Sequence, residues 1–148
     1  MRETGNAVSQ QNVELVRRLY AQLAGEGSRQ DFAQRMSDAA LARFLDPQIE
    51  WLPVPQSLLA GDRYRGFAGV RRFWSEFLSA WESYRVEPLR FDHAGDQVAV
   101  VVHIVARTPQ LELDETRSSL LTVRHGRVVR VQSFAHPDGA RQAAGLPP

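Results

Sequence analysis

Histidine titrates nearest neutrality of all the side chains, so the four histidines are where acid–base chemistry is first sought. His103 is a lone polar residue in the apolar run Val98 to Val105. Strand alternation puts it on the face of Ala99, Val101 and Val105, away from the core. It therefore reads as an interface or structural histidine, and a one-residue bulge would turn it inward as an acid/base group. His93 and His125 fall in tight turns and are expected in solvent. No His-x-His or His-x-x-x-His grouping accompanies Asp114-Glu115, which reads as a solvated turn or strand end, so no metal is expected. No Gly-x-Gly-x-x-Gly phrase exists to hold a nucleotide, and no cofactor is expected. All 18 basic residues are arginine and cysteine is absent, which excludes a Schiff-base lysine, a P-loop, a thiolate nucleophile and disulfides.

Any chemistry must then be positioned by ordinary elements. From Ser9 to Ala24 the residues Val13, Val16, Leu19, Tyr20 and Leu23 recur at spacings of three and four, which predicts a helix capped by Ser9 and ended by Gly25. A second helix is predicted from about Asp31 to Phe44, stopped by Asp46-Pro47 before a short strand at Ile49 to Leu52; Pro53 to Asp62 reads as loop. After Tyr64-Arg65-Gly66 a third helix carries Val70, Phe73, Trp74, Phe77, Leu78 and Trp81, a broad aromatic stripe that must be covered. Arg85 to Asp92, Val98 to Arg107, Glu112 to Arg124 and Arg127 to Phe134 read as four long strands joined by tight turns.

With 148 residues and 43% apolar content the chain is expected to form one α+β domain over residues 9–146, preceded by a flexible stretch at 1–8. The net charge of +1 is spread along the chain, which argues against a nucleic-acid partner. No run approaches the ~18 apolar residues of a membrane span, and residues 1–11 carry no apolar signal core, so a soluble, cytoplasmic protein without a membrane partner is expected. The exclusive use of arginine points to a GC-rich bacterial genome. Strand Val98 to Val105 is apolar on both faces while helices cover one, so a homodimer is expected to cover the other.

The order helix, helix, short strand, aromatic helix and four-stranded meander resembles the SnoaL-like polyketide cyclase branch of the nuclear-transport-factor-2-like superfamily. The phrases Asn12 to Tyr20, Phe44 to Trp51, Tyr64 to Trp74, His125 to Val131 and Ala143 to Leu146 are similar to that family's own, and the resemblance spans roughly residues 10 to 146. It implies a cone-shaped α+β barrel, a curved and mainly antiparallel sheet with the N-terminal helices in its concave face and an interior that holds a small molecule. The family includes cyclases, isomerases, epoxide hydrolases, dehydratases and binders without catalysis.

Carried over position by position, the resemblance makes Tyr20 the counterpart of a catalytic tyrosine on the isomerases' first helix; its other reading is a core tyrosine with its hydroxyl bonded locally. The isomerases' base falls on Trp51, which accepts no proton, and Glu50 beside it reads as a surface carboxylate. Ser119 falls where relatives carry an acid or a histidine. If it faces inward so do Arg117, Leu121 and Val123, and Arg117 is then a permanent charge suited to an enolate, phenolate or carboxylate; in solvent or at a subunit contact it would be structural. Ser133 stands where relatives carry an aspartate, with Val129, Val131 and Ala135 on its face, and Val102 and Ile104 replace the Arg-x-Asp pair of epoxide hydrolases. His136 lies where relatives often have aspartate. The resulting expectation is a cofactor-independent enzyme acting on a small aromatic or polyketide-like molecule by cyclisation, isomerisation or dehydration. Tyr20, Arg117, Ser119 and, if turned inward, His103 would be catalytic, and Trp51, Tyr64, Phe77, Trp81, Leu121, Val131 and Ser133 would bind substrate. The alternative is a non-catalytic binding or dimerisation module.

Overall fold

The structure is a computed structural model that describes residues 2–23, 25–27, 35–54 and 63–147, with the backbone alone for 2–7 and 25–27. Helix α1 (Arg2–Leu23) begins earlier than the predicted Ser9 and takes in most of the stretch expected to be flexible. Its Val16, Leu19, Tyr20 and Leu23 are buried at helical spacing, while Glu14 and Arg18 pair one turn apart on the exposed side. Strand β1 (Gly25–Gly27) follows. Residues 31–34 of the expected second helix lie outside the described residues. Its described part is broken: Arg35 is helical, a turn follows at Met36-Ser37, and the short α2 (Asp38–Ala42) starts where the Ser37 side chain accepts the Ala40 N–H.

Strand β2 (Leu45–Leu52) starts before the predicted Ile49 and includes the Asp46-Pro47 pair expected to precede it. Proline is tolerated there because the register of β2 on its neighbour breaks between Leu45 and Glu50, where a missing N–H costs little. After β3 (Tyr64–Arg65), Gly66 takes a φ of +68°, a conformation open to glycine at little cost, and begins α3 (Gly66–Ser79). Val70, Trp74 and Leu78 form its buried stripe.

The meander is β4 (Ser83–Ala94), β5 (Gln97–Arg107), β6 (Glu112–Arg124) and β7 (Arg127–Phe134). The seven strands form one curved sheet in the order β1-β4-β5-β6-β7-β2-β3, antiparallel except where β2 meets β7. Strands β1 and β3 are its edges, so the sheet is an open, curved one and the barrel does not close. Helices α1 and α3 pack on the concave face around one core.

The convex face is partly covered from within the chain. Helix α4 (Gly139–Ala143) sets Ala140 on Ala99 and Leu120, with Phe134, Ala144 and Leu146 around them. The Ser118 hydroxyl donates to the His136 carbonyl at 2.6 Å and accepts the Ala140 N–H at 3.0 Å, tying the helix start to β6. Any Cβ at position 139 would lie 2.6 Å from the Phe134 Cβ, so glycine is what lets this helix sit down. The expectation that helices cover only one face is corrected to that extent.

Candidate functional site

Between the helices and the concave face lies a cavity of about 740 Å³. One wall is aromatic: Trp51 from β2, Phe73, Trp74 and Phe77 from α3, and Trp81 just after it. Their rings interlock, with Phe73 edge-on to Trp74 at 5.3 Å and Trp74 edge-on to Phe77 at 5.6 Å. The apolar stripe of α3 is therefore both core and cavity wall. All three tryptophans of the chain line this space.

The opposite wall is the inward row of β6. Leu113, Glu115, Arg117, Ser119 and Leu121 all line the cavity, as period-two alternation requires. Beside them Val131 and Ser133 of β7 line it too, and Ser119 stands directly opposite Ser133 in the register. Leu121 is fully buried at the floor. Leu121→Asp should cost roughly 2 kcal/mol or more by leaving an unpaired carboxylate among apolar groups, visible as a lower midpoint in thermal or urea unfolding. An unchanged midpoint would contradict this strand register.

Tyr20 reaches the cavity from α1 and is 7% exposed. Its hydroxyl faces the Ser119 side chain, and Ser119 Oγ lies 3.4 Å from Ser133 Oγ, so three hydroxyls run along one side of the space. Burial raises the phenol to about 12, with the Ser119 side chain pulling weakly the other way. Tyr20 is thus a neutral donor throughout the ordinary pH range. Linkage makes its contribution to stability complete below about pH 10, the unfolded value, and lost as pH rises through about 12.

Arg117 has a side chain only 12% exposed, and its Nε and Nη2 each lie 2.7 Å from Glu115 Oε2, whose side chain is 45% exposed. A carboxylate therefore stands on the cavity wall beside a half-buried guanidinium. Sequence reasoning set Glu115 aside with Asp114 as a turn or strand-end acid. The signal was available: Glu115 lies two residues before Arg117 and so on the same face. Phe73 and Trp74 were likewise read as core alone.

Several expected residues stand elsewhere. His103 is on the convex face, with its Nε2 2.6 Å from Asp114 Oδ1, while its neighbours Val102 and Ile104 line the cavity. The β5–β6 register runs unbroken from Gln97 to Arg107, so no bulge turns His103 inward and its acid/base candidacy falls. Tyr64 is buried outside the lining. Its hydroxyl donates to Glu76 Oε2 at 2.6 Å, its ring is edge-on to Phe73, and the Arg72 guanidinium lies 4.6 Å over its face. Tyr64 therefore supports the aromatic wall from behind its lining residues. Val129 was expected inward with Val131, but a register shift at Thr122/Val123 pairs Val123 with Val128, and Val128 takes the buried place. Glu50 sits 4.0 Å from Arg63, and His136 is exposed. Among the described residues no group of three or more acidic or histidine side chains is placed to hold a metal ion.

Similar architectures occur in solved structures. TerC, co-crystallised with polyporic acid, superposes with a TM-score of 0.68 at 18% identity, over 91% of this chain and 98% of that one. A protein from Jannaschia sp. CCS1 assigned as a SnoaL-like polyketide cyclase gives 0.65 at 17% identity, over 95% and 96%. One from Kribbella flavida DSM 17836 assigned as a ketosteroid isomerase gives 0.58 at 23%, over 85% and 78%. At these identities the likeness is one of fold. Among curated proteins none matches the sequence. The model of the SnoaL-like domain matches residues 16–131, which is most of the chain and includes every cavity-lining element except the last residue of β7's inward row, Ser133. The chain is a member of the SnoaL-like domain family, with the α+β fold of nuclear-transport-factor-2-like proteins.

Proposed function

We propose that the protein is a cofactor-independent enzyme of bacterial specialised metabolism that cyclises, isomerises or dehydrates a small aromatic or polyketide-like carbonyl compound. The observation that carries this reading is one cavity holding both halves of an enolisation. Glu115 is a carboxylate able to take a proton, and the Tyr20 and Ser119 hydroxyls are neutral donors able to hold the oxygen on which charge develops. The family, and the polyketide cyclase and ketosteroid isomerase assignments of structural neighbours, support the same class.

In the proposed cycle a substrate ring lies against Trp51, Phe73 and Trp81, with its carbonyl oxygen toward Tyr20 and Ser119. Glu115, fixed by Arg117, removes a proton from carbon, and the electron pair moves onto that oxygen. The enolate then takes the proton back from Glu115 at another carbon, attacks a second carbonyl whose new alkoxide takes that proton, or expels a β-hydroxyl that leaves with it as water, which gives isomerisation, cyclisation or dehydration respectively. Ser133 orients Ser119, and Phe77, Leu121 and Val131 keep the space apolar, where hydrogen bonds to a developing charge count for more than in water.

The test is incubation with a panel of aromatic ketones and polyketide-like 1,3-dicarbonyls in D₂O, followed by proton NMR. Enzyme-dependent deuterium at an enolisable carbon is expected. No exchange beyond that of a Tyr20→Phe/Glu115→Gln double variant would contradict the proposal.

We also propose a homodimer across the part of the convex face that α4 leaves open, where Val101, His103 and Val105 are half-buried on β5. Light scattering at micromolar concentration should return twice the chain mass of 16.7 kDa, and a monomer would remove this assembly.

A further inference from the structure

Arg117 carries five N–H donors in a planar fork, and Glu115 uses few of them. A single oxygen, Oε2, accepts from both Nε and Nη2, so the carboxylate sits on the side edge of the guanidinium. The end-on edge, formed by Nη1 and the second hydrogen of Nη2, has no partner among the described residues. This is an unusual state for a cation in a cavity wall with a side chain only 12% exposed. A half-buried cation on the cavity wall with part of its fork unused is ready to bind two coplanar oxygens end-on without breaking its existing ion pair.

We propose that the substrate carries, on its aromatic body, a coplanar pair of oxygens sharing negative charge, a carboxylate or the enolate of a 1,3-dicarbonyl, and that this pair docks on the Nη1/Nη2 edge of Arg117. The inference rests on the reading of this cavity as the substrate site and adds a second anchor to it. Glu115 stays on the side edge and holds the guanidinium plane in place. The two-point attachment, ring on the tryptophan wall and anion on Arg117, fixes which carbon faces Glu115. Ile104, Leu113 and Trp81, which also line the cavity, offer no such fork, and this leaves Arg117 the cation that discriminates among substrates.

Binding separates this from the catalytic reading, because it is measured without turnover. The probes are 2-naphthoate, its neutral isostere 2-naphthamide and 1-phenylbutane-1,3-dione, titrated by calorimetry into the wild-type protein. The wild type should bind naphthoate about tenfold or more tightly than the amide. Arg117→Met should remove that preference while binding of the amide changes little. Arg117→Lys keeps the charge but not the fork, and should weaken naphthoate selectively; it also serves as the conservative variant if Arg117→Met does not fold. Glu115→Gln should keep the preference or raise it. Tighter binding of the dione than of naphthoate would identify the dicarbonyl enolate as the natural group. Equal binding of naphthoate and naphthamide, no binding of any of the three probes, or a preference that survives in Arg117→Met would overturn the proposal. Loss of turnover in the D₂O assay with the anion preference intact would instead sink only the catalytic reading.

Discussion

Glu115→Gln is expected to lower turnover about a thousandfold with little change in folding, because it removes the one carboxylate that the described residues place on the cavity wall and keeps its shape and hydrogen-bond acceptor. Proton transfer by a positioned side chain contributes about 10²–10⁴ in rate, and a group held on the fork of Arg117 belongs in the upper half of that range. Glutamine keeps an acceptor oxygen for the Arg117 guanidinium at a side chain that is 45% exposed, so the free energy of unfolding should move by less than about 1 kcal/mol. The loss should appear in kcat more than in KM, since the proton is transferred in the transition state. A rate within about threefold of wild type would show that Glu115 is only the counterion of Arg117.

The route to Glu115 shows which parts of this site were readable in the sequence. Long strands with clean alternation were legible: the inward row of β6 followed from Ser119 alone, and Arg117 and Leu121 lie in the cavity as that row implies, with Ser133 opposite Ser119 on β7. Glu115 lies on the same row and was missed because its acidic neighbour Asp114 made the pair look like a turn. What alternation cannot show is an added residue. Val129 was lost to a bulge opposite Val123, whereas the same device was considered for His103 and does not occur there. Proline misled in a similar way, since Pro47 lies inside β2 at a break in its pairing and not ahead of the strand. Composition gave no sign that Tyr64, an aromatic at the right place in the chain, spends its hydroxyl on Glu76. The closing helix α4 is five residues long, too short for periodicity to register, and its position depends on a tertiary cap from Ser118.

The charged half of the site thus became visible only with the strand register, whereas Tyr20 could be named beforehand, and it is the group on which the claim of an enzyme turns. Its buried hydroxyl meets Ser119, and its proton stays in place up to about pH 12, so it can donate to a developing oxyanion without ionising. Tyr20→Phe keeps the ring that packs edge-on to Phe91 and deletes one donor. The decisive measurement is turnover and unfolding midpoint of this one variant, side by side, on the compound that exchanges deuterium. The oxyanion role predicts a loss of about 100-fold or more in kcat, against about 1 kcal/mol in stability from the lost contact with Ser119. The same loss of stability with an unchanged rate would contradict it, leaving Tyr20 a core residue and the cavity a site that binds without catalysis.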